Sequence, residues 1–162
     1  MRKNIKILLV FILVALGMTS CVSRRKSYGA PAKEKFEKII EAIENNDPTS
    51  LKAMFSINTL KEVENIEVEI QCLLNIYKGK FESILESTPS GSGSLDKGVI
   101  TYEIMGGGYL FKTDEGTYKL IFDDITVDSD PDNIGLTRIV FFKEEDKELF
   151  YNGDTRTGKG VH

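Results

Sequence analysis

The chain has 162 residues, 41% of them hydrophobic and 28% charged, with a formal net charge of −4. It has no tryptophan, and its one histidine, His162, is the last residue. Imidazole chemistry, a His-ligated zinc site and a Ser–His–Asp or Cys–His catalytic arrangement are therefore close to excluded.

Arg2, Lys3 and Lys6 precede an uncharged apolar run at residues 7–16. That run is too short to span a bilayer core, which takes about 20 residues. A basic start, a short apolar run and small residues after it describe a secretory signal peptide. Met18-Thr19-Ser20-Cys21 resembles a bacterial lipobox. The resemblance implies diacylglycerol on the Cys21 sulfur, cleavage between Ser20 and Cys21, and a palmitate-type anchor on the extracytoplasmic face of the cell membrane. The other reading is an ordinary signal peptide cut near Ser20, with Cys21 an incidental thiol. Two acyl chains suffice for stable attachment where one is marginal. A lipidated Cys21 would leave Cys72 without a disulfide partner.

Beyond residue 20 lie 142 residues, one domain's worth, with 18 basic and 25 acidic side chains and hence a net charge of −7. Such an acidic domain is a poor nucleic-acid binder, because that affinity comes from Lys and Arg against phosphate. The expected layout is a signal peptide at 1–20, a tether at 21–32, one domain at 33–151 and a flexible tail at 152–162. In the tether, Arg24, Arg25 and Lys26 can either lie against anionic head groups or form an ordinary solvated charge run.

Helical periodicity marks residues 33–46, where Phe36, Ile39, Ile40 and Ile43 form one stripe. Lys35 and Glu44 are assigned to the solvent face. Asp47 is placed to cap a second helix that starts at Pro48 and buries Leu51, Met54 and Phe55. Residues 56–59 break the pattern, and a short helical piece at 60–64 follows. A last helix at 66–78 buries Ile66, Ile70, Leu73, Leu74 and Tyr77, with Gly79 as its left-handed end. Cys72 lies on it and reads as a small buried hydrophobe.

From Lys80 the period becomes 2. Strands are expected at 81–86, at 99–105 with Ile100, Tyr102 and Ile104 on one face, at 109–113, 117–123 and 136–142, with a short one at 148–151. Residues 87–98 read as a flexible loop by composition. Gly106-Gly107-Gly108 allows a bend or a bulge, and Asp114-Glu115-Gly116 makes a hairpin turn.

Helices followed by an antiparallel sheet predict an α+β domain. Residues 38–56 (KIIEAIENNDPTSLKAMFS), 77–83 (YKGKFES), 113–122 (TDEGTYKLIF) and 128–136 (DSDPDNIGL) resemble a family of uncharacterised bacterial lipoproteins. That family is related to the nuclear transport factor 2-like, ketosteroid-isomerase-like superfamily. The resemblance covers residues 33–142 and implies a cone in which a strongly bent sheet wraps around the helices. It also implies homodimers through the sheet face, and it imports no activity.

Two constellations carry chemistry. Asp128, Asp130 and Asp132 match positions 1, 3 and 5 of a calcium loop, but Asn133 replaces the turn glycine and Ile139 the closing glutamate; a polar hairpin loop is the competing reading. An isomerase would need a carboxylate base and an oxyanion donor in the cone. Tyr102, Tyr109 and Tyr118 are candidate donors. Asp114 and Asp123 are candidate bases that the strand pattern assigns to turns or edges. The expectation is a non-catalytic, cofactor-free domain that binds a small ligand or a protein through its concave face. A cavity enzyme and a structural envelope role are the alternatives.

Overall fold

The computed structural model describes residues 27–148 and 159–161. Four helices come first: α1 (Gly29–Glu44), α2 (Pro48–Ala53), α3 (Ile57–Glu62) and α4 (Ile66–Ile76). An antiparallel sheet follows, with β1 (Phe81–Asp96), β2 (Val99–Thr113), β3 (Gly116–Val127), β4 (Gly135–Lys143) and the short β5 (Lys159–Val161). The strands lie in chain order, an open meander with β1 and β5 at its edges. Residues 159–161, read above as part of a tail, pair with β4.

α1 starts four residues earlier than its apolar stripe suggests. Pro31 is tolerated because it falls in the first turn, where a missing N–H breaks no helical bond. Ala32, Phe36, Ile39, Ile40, Ala42 and Ile43 are buried. Asp47 caps α2 as its position implies, accepting from the Ser50 N–H at 3.0 Å and the Ser50 hydroxyl at 2.6 Å. Residues 56–59, which interrupt the apolar pattern, begin α3 rather than separating two helices. Ser56 is its cap, accepting from the Thr59 N–H at 3.1 Å. α4 ends at Ile76, two residues short of expectation. Gly79 has φ +82°, and a Cβ there would stand 2.2 Å from Asp114 Oδ1. Glycine is thus required by the approach of the β2–β3 turn.

Residues 87–98 are not a loop. β1 runs on through them, paired with β2 from Thr88 opposite Gly108 to Asp96 opposite Val99. Lys97 and Gly98 make the connection, with φ +48° and +85°. Positive φ at both central residues suits the right-handed twist of a hairpin. The backbone partners come from β2, so a Ser/Gly-rich composition did not prevent pairing. Nor do the three glycines divide β2 in two. A Cβ on Gly106 would lie 2.1 Å from the Phe122 carbonyl oxygen, and one on Gly107 would lie 2.6 Å from that of Thr88. Side chains there would push β1 and β3 away from β2.

The helices cover one face of the sheet, and one cluster holds the core. Phe36 of α1 stacks on Tyr109 with ring centres 4.5 Å apart. Tyr77 stacks on Tyr118 at 5.5 Å, and Tyr118 on Phe141 at 5.3 Å. Burial of each such ring contributes roughly 1.5–3 kcal/mol. The buried alternates of β2 are Glu103, Met105, Tyr109, Phe111 and Thr113. Ile100, Tyr102 and Ile104, which looked like a core face, are exposed or half-buried instead. A single bridge joins the helical half to β4 by backbone: Ser56 N–H donates to the Leu136 carbonyl at 3.0 Å, and Leu136 N–H donates to that of Met54 at 2.8 Å.

Candidate functional site

The helix-facing side of the sheet has two unlike ends. At one end every hydroxyl and carboxylate serves the fold. Tyr118 OH accepts from the Lys78 N–H at 3.0 Å, and Thr113 Oγ1 donates to the Lys78 carbonyl at 2.9 Å. Tyr77 OH donates to Glu44 Oε1 at 2.9 Å, and the same oxygen accepts from the Phe81 N–H. Burial, and then the Glu44 charge, push the Tyr77 phenol well above its ordinary range.

The other end carries charge in the interior. Tyr118, Leu120, Phe122 and Asp124 alternate along β3 onto the helix-facing side. The Asp124 side chain is only 3% exposed and pairs with Lys35 of α1. Lys35 Nζ lies 3.0 Å from Asp124 Oδ1 and 2.9 Å from Oδ2. Burial raises the pKa of this carboxyl, outweighing the hydrogen bond and charge of Lys35, which lower it. Nearby on β2, buried Glu103 accepts from Thr126 Oγ1 at 2.8 Å. Tyr109 is 1% exposed, and its hydroxyl has no hydrogen-bond partner. Its phenol pKa is raised by burial and then by Glu37. This end therefore offers a lysine cation and a carboxylate whose pKa burial raises, with the Tyr109 hydroxyl further along the same inner face. Such a set can grip a polar ligand or pass a proton.

A family described as "Domain of unknown function (DUF5104)" matches residues 38–144. The chain belongs to this family. No curated protein and no solved structure matches it. The DUF5104 match begins within α1 and ends just past β4, so it takes in Glu103, Tyr109 and Asp124 while Lys35 lies three residues before it.

The isomerase candidates are scattered over the DUF5104 domain. Of the three tyrosines, Tyr109 and Tyr118 are buried in the aromatic core and Tyr102 is half-buried beyond it. Asp114 sits in the β2–β3 turn and accepts from the Lys80 N–H at 2.6 Å. Asp123 is not at an edge or in a turn. It lies within β3, between two paired strands, and points away from the core to Arg138, 2.7 Å distant. The interior acid is its neighbour Asp124. One further step of the alternation Tyr118, Leu120, Phe122 reaches that residue, so the signal was present in the sequence. Lys35 gave no such signal. It sits beside Phe36 on the edge of the apolar stripe, half-buried rather than solvated.

Asp128, Asp130 and Asp132 turn to partners close by. Asp128 Oδ1 accepts from the Asp130 N–H at 2.8 Å, which holds its carboxyl below the usual range. Asp130 Oδ1 accepts from the Asp132 N–H at 3.0 Å, and Asp132 pairs with Lys61 at 3.0 Å. Among the described residues, no three His, Cys, Asp or Glu side chains are gathered as a metal site requires. Cys72 is half-buried on α4 rather than fully enclosed. Ser20 and Cys21 lie outside the described residues. No helix among the described residues is long and apolar enough to cross a membrane. Two surface clefts, of about 260 and 310 Å³, lie away from the charged end, one beside Lys38, Asn45 and Ser50 and the other beside Glu115 and Lys143.

Proposed function

We propose that this chain is an extracytoplasmic lipoprotein, anchored through Cys21, whose domain binds a small ligand or a partner protein and catalyses nothing. The observation that carries the reading is Met18-Thr19-Ser20-Cys21 behind a basic start and a short apolar run. Its test is a palmitate-analogue label on the full chain expressed in a bacterium. Label and membrane fraction should both disappear with Cys21→Ala. A wild-type chain that is soluble and unlabelled overturns the reading.

Within this proposal the domain is a cone of the nuclear transport factor 2-like kind. Helices first, then an antiparallel meander with helices against one face, support that assignment. The filled interior speaks against catalysis and for the alternative of a structural envelope role: rings occupy most of the helix-facing side, and its acids are engaged by Lys35 and Thr126.

One observation favours an isomerase as the second reading. A buried acid of raised pKa and an unpartnered tyrosine hydroxyl lie on the same inner face. Asp124 would be the base and Tyr109 the donor. Substrate turnover abolished by Asp124→Asn, with the fold intact, would establish that reading and end the non-catalytic one.

A further inference from the structure

Past Glu103, β2 no longer pairs with β3, and only β1 remains beside it. The two strands leave the sheet as a bare ribbon that turns at Lys97-Gly98. Its far end collects Leu95, Val99 and Ile100, which are 69%, 66% and 40% exposed. Leu95 and Ile100 are direct cross-strand partners on one face of the ribbon, and Val99, paired with Asp96, stands on the other face. Three large apolar side chains thus crowd the ribbon's tip, exposed on both of its faces. No charged residue occurs from Thr88 to Leu95 or from Val99 to Tyr102, and the turn adds one acid and one base, Asp96 and Lys97.

The start of the described chain lies along the same ribbon. A Cβ built on Gly91 would fall 2.5 Å from the Tyr28 ring, so the ring occupies the place of a Gly91 side chain. Cys21 is seven residues before Tyr28 and can stand at most about 25 Å from it. The ribbon's turn is six residues beyond Gly91, roughly 20 Å at strand spacing, and so within that reach. A bilayer that holds Cys21 is therefore within reach of the ribbon's tip.

We propose that the tip of the β1–β2 ribbon rests in the lipid surface that holds the anchor, with Leu95, Val99 and Ile100 among the head groups and upper acyl chains. The inference rests on the lipoprotein reading above. It makes the ribbon a second foothold that sets the domain's orientation on the membrane. Short tethering raises the local concentration of the tip to the millimolar range, so weak intrinsic affinity suffices. Exposed apolar clusters of this kind mark surfaces that meet a partner or a membrane.

The test uses the full lipidated chain with Cys72→Ser, which leaves a single introduced thiol to carry an environment-sensitive fluorophore. The thiol is Ser94→Cys on the ribbon or Thr49→Cys on α2. Each protein is placed in vesicles of phosphatidylcholine and phosphatidylglycerol with brominated acyl chains. The ribbon probe should be quenched and the α2 probe not. Leu95→Ser, Val99→Ser and Ile100→Ser combined should abolish the quenching while the palmitate label stays. A ribbon probe that is no more quenched than the α2 probe, on protein that still sediments with vesicles, overturns this inference and leaves the anchor standing. Protein that fails to sediment and carries no palmitate overturns the anchor reading itself. Cross-linking between copies through Ser94→Cys, at a yield that rises with copies per vesicle, overturns the inference in favour of ribbon-to-ribbon pairing.

Discussion

β1 and β2 pass through two environments. On one side of Gly106-Gly107-Gly108 they lie in the sheet body, where Phe36 of α1 packs on the β2 rings of Tyr109 and Phe111. On the other side, past Glu103, they form a bare ribbon whose residues 94–101 are all exposed. Hydrogen bonding is continuous across the change, whereas burial is not. Pairing to a neighbour thus sets how far these strands run, and ring packing sets where stability resides. An isolated two-stranded hairpin is marginal in water. This one is held by its continuity with the body and by Tyr28 lying over Gly91.

Changes in the body should be costly and changes in the ribbon nearly silent. Phe111→Ala removes a fully buried ring from the stack and should cost about 3–5 kcal/mol, read as a shift of the denaturation midpoint. A loss below about 1 kcal/mol would mean that the stack is not the seat of stability.

Next comes Lys35→Met, which leaves the Asp124 carboxylate buried without its cation. It should cost about 3 kcal/mol at neutral pH. The pH dependence has a definite sign. Folding raises the Asp124 pKa, so the folded chain keeps that proton to higher pH than the unfolded chain does. The group's contribution to stability is full below the ordinary aspartate value of about 3.9 and is lost as pH rises through the folded value. The Lys35→Met deficit should accordingly shrink on acidification, and Asp124→Asn should remove the slope. Equal stability of Lys35→Met and wild type at neutral pH would show that the pair contributes nothing.

Tyr109→Phe deletes a hydroxyl that has no partner, and should leave stability unchanged or raise it by about 1 kcal/mol. A clear loss would mean that the hydroxyl is bonded in solution. The smallest effect belongs to the ribbon: Leu95→Ser should change stability by less than about 0.5 kcal/mol. A larger loss would contradict the contrast between the two regions.

Much of the body can be read from the sequence because its signals are local. The α1 stripe, the Asp47 cap with Pro48 behind it, and the Asp114-Glu115-Gly116 turn each declare themselves within a few residues. The ribbon does not, because residues 87–98 carry the composition of a loop and take their order from β2. The Asp124–Lys35 pair was half legible. Strand alternation reaches Asp124, but nothing local tells a lysine at the edge of an apolar stripe that its partner lies 89 positions ahead.

The bridge from Phe55 to Leu136 has a consequence for the order of assembly. Every strand pair from β1 to β4 joins neighbours in the chain, so the sheet can zip up one hairpin at a time. The bridge closes a loop of about 81 residues, from 55 to 136, and the entropy of such closure grows with the length enclosed. During synthesis the helices emerge first, yet their backbone partner on β4 is among the last parts of the domain to appear. Until Leu136 arrives, the apolar stripe of α1 and the residues around Phe55 have only part of their surface to pack on. The helical half is therefore made early and secured late.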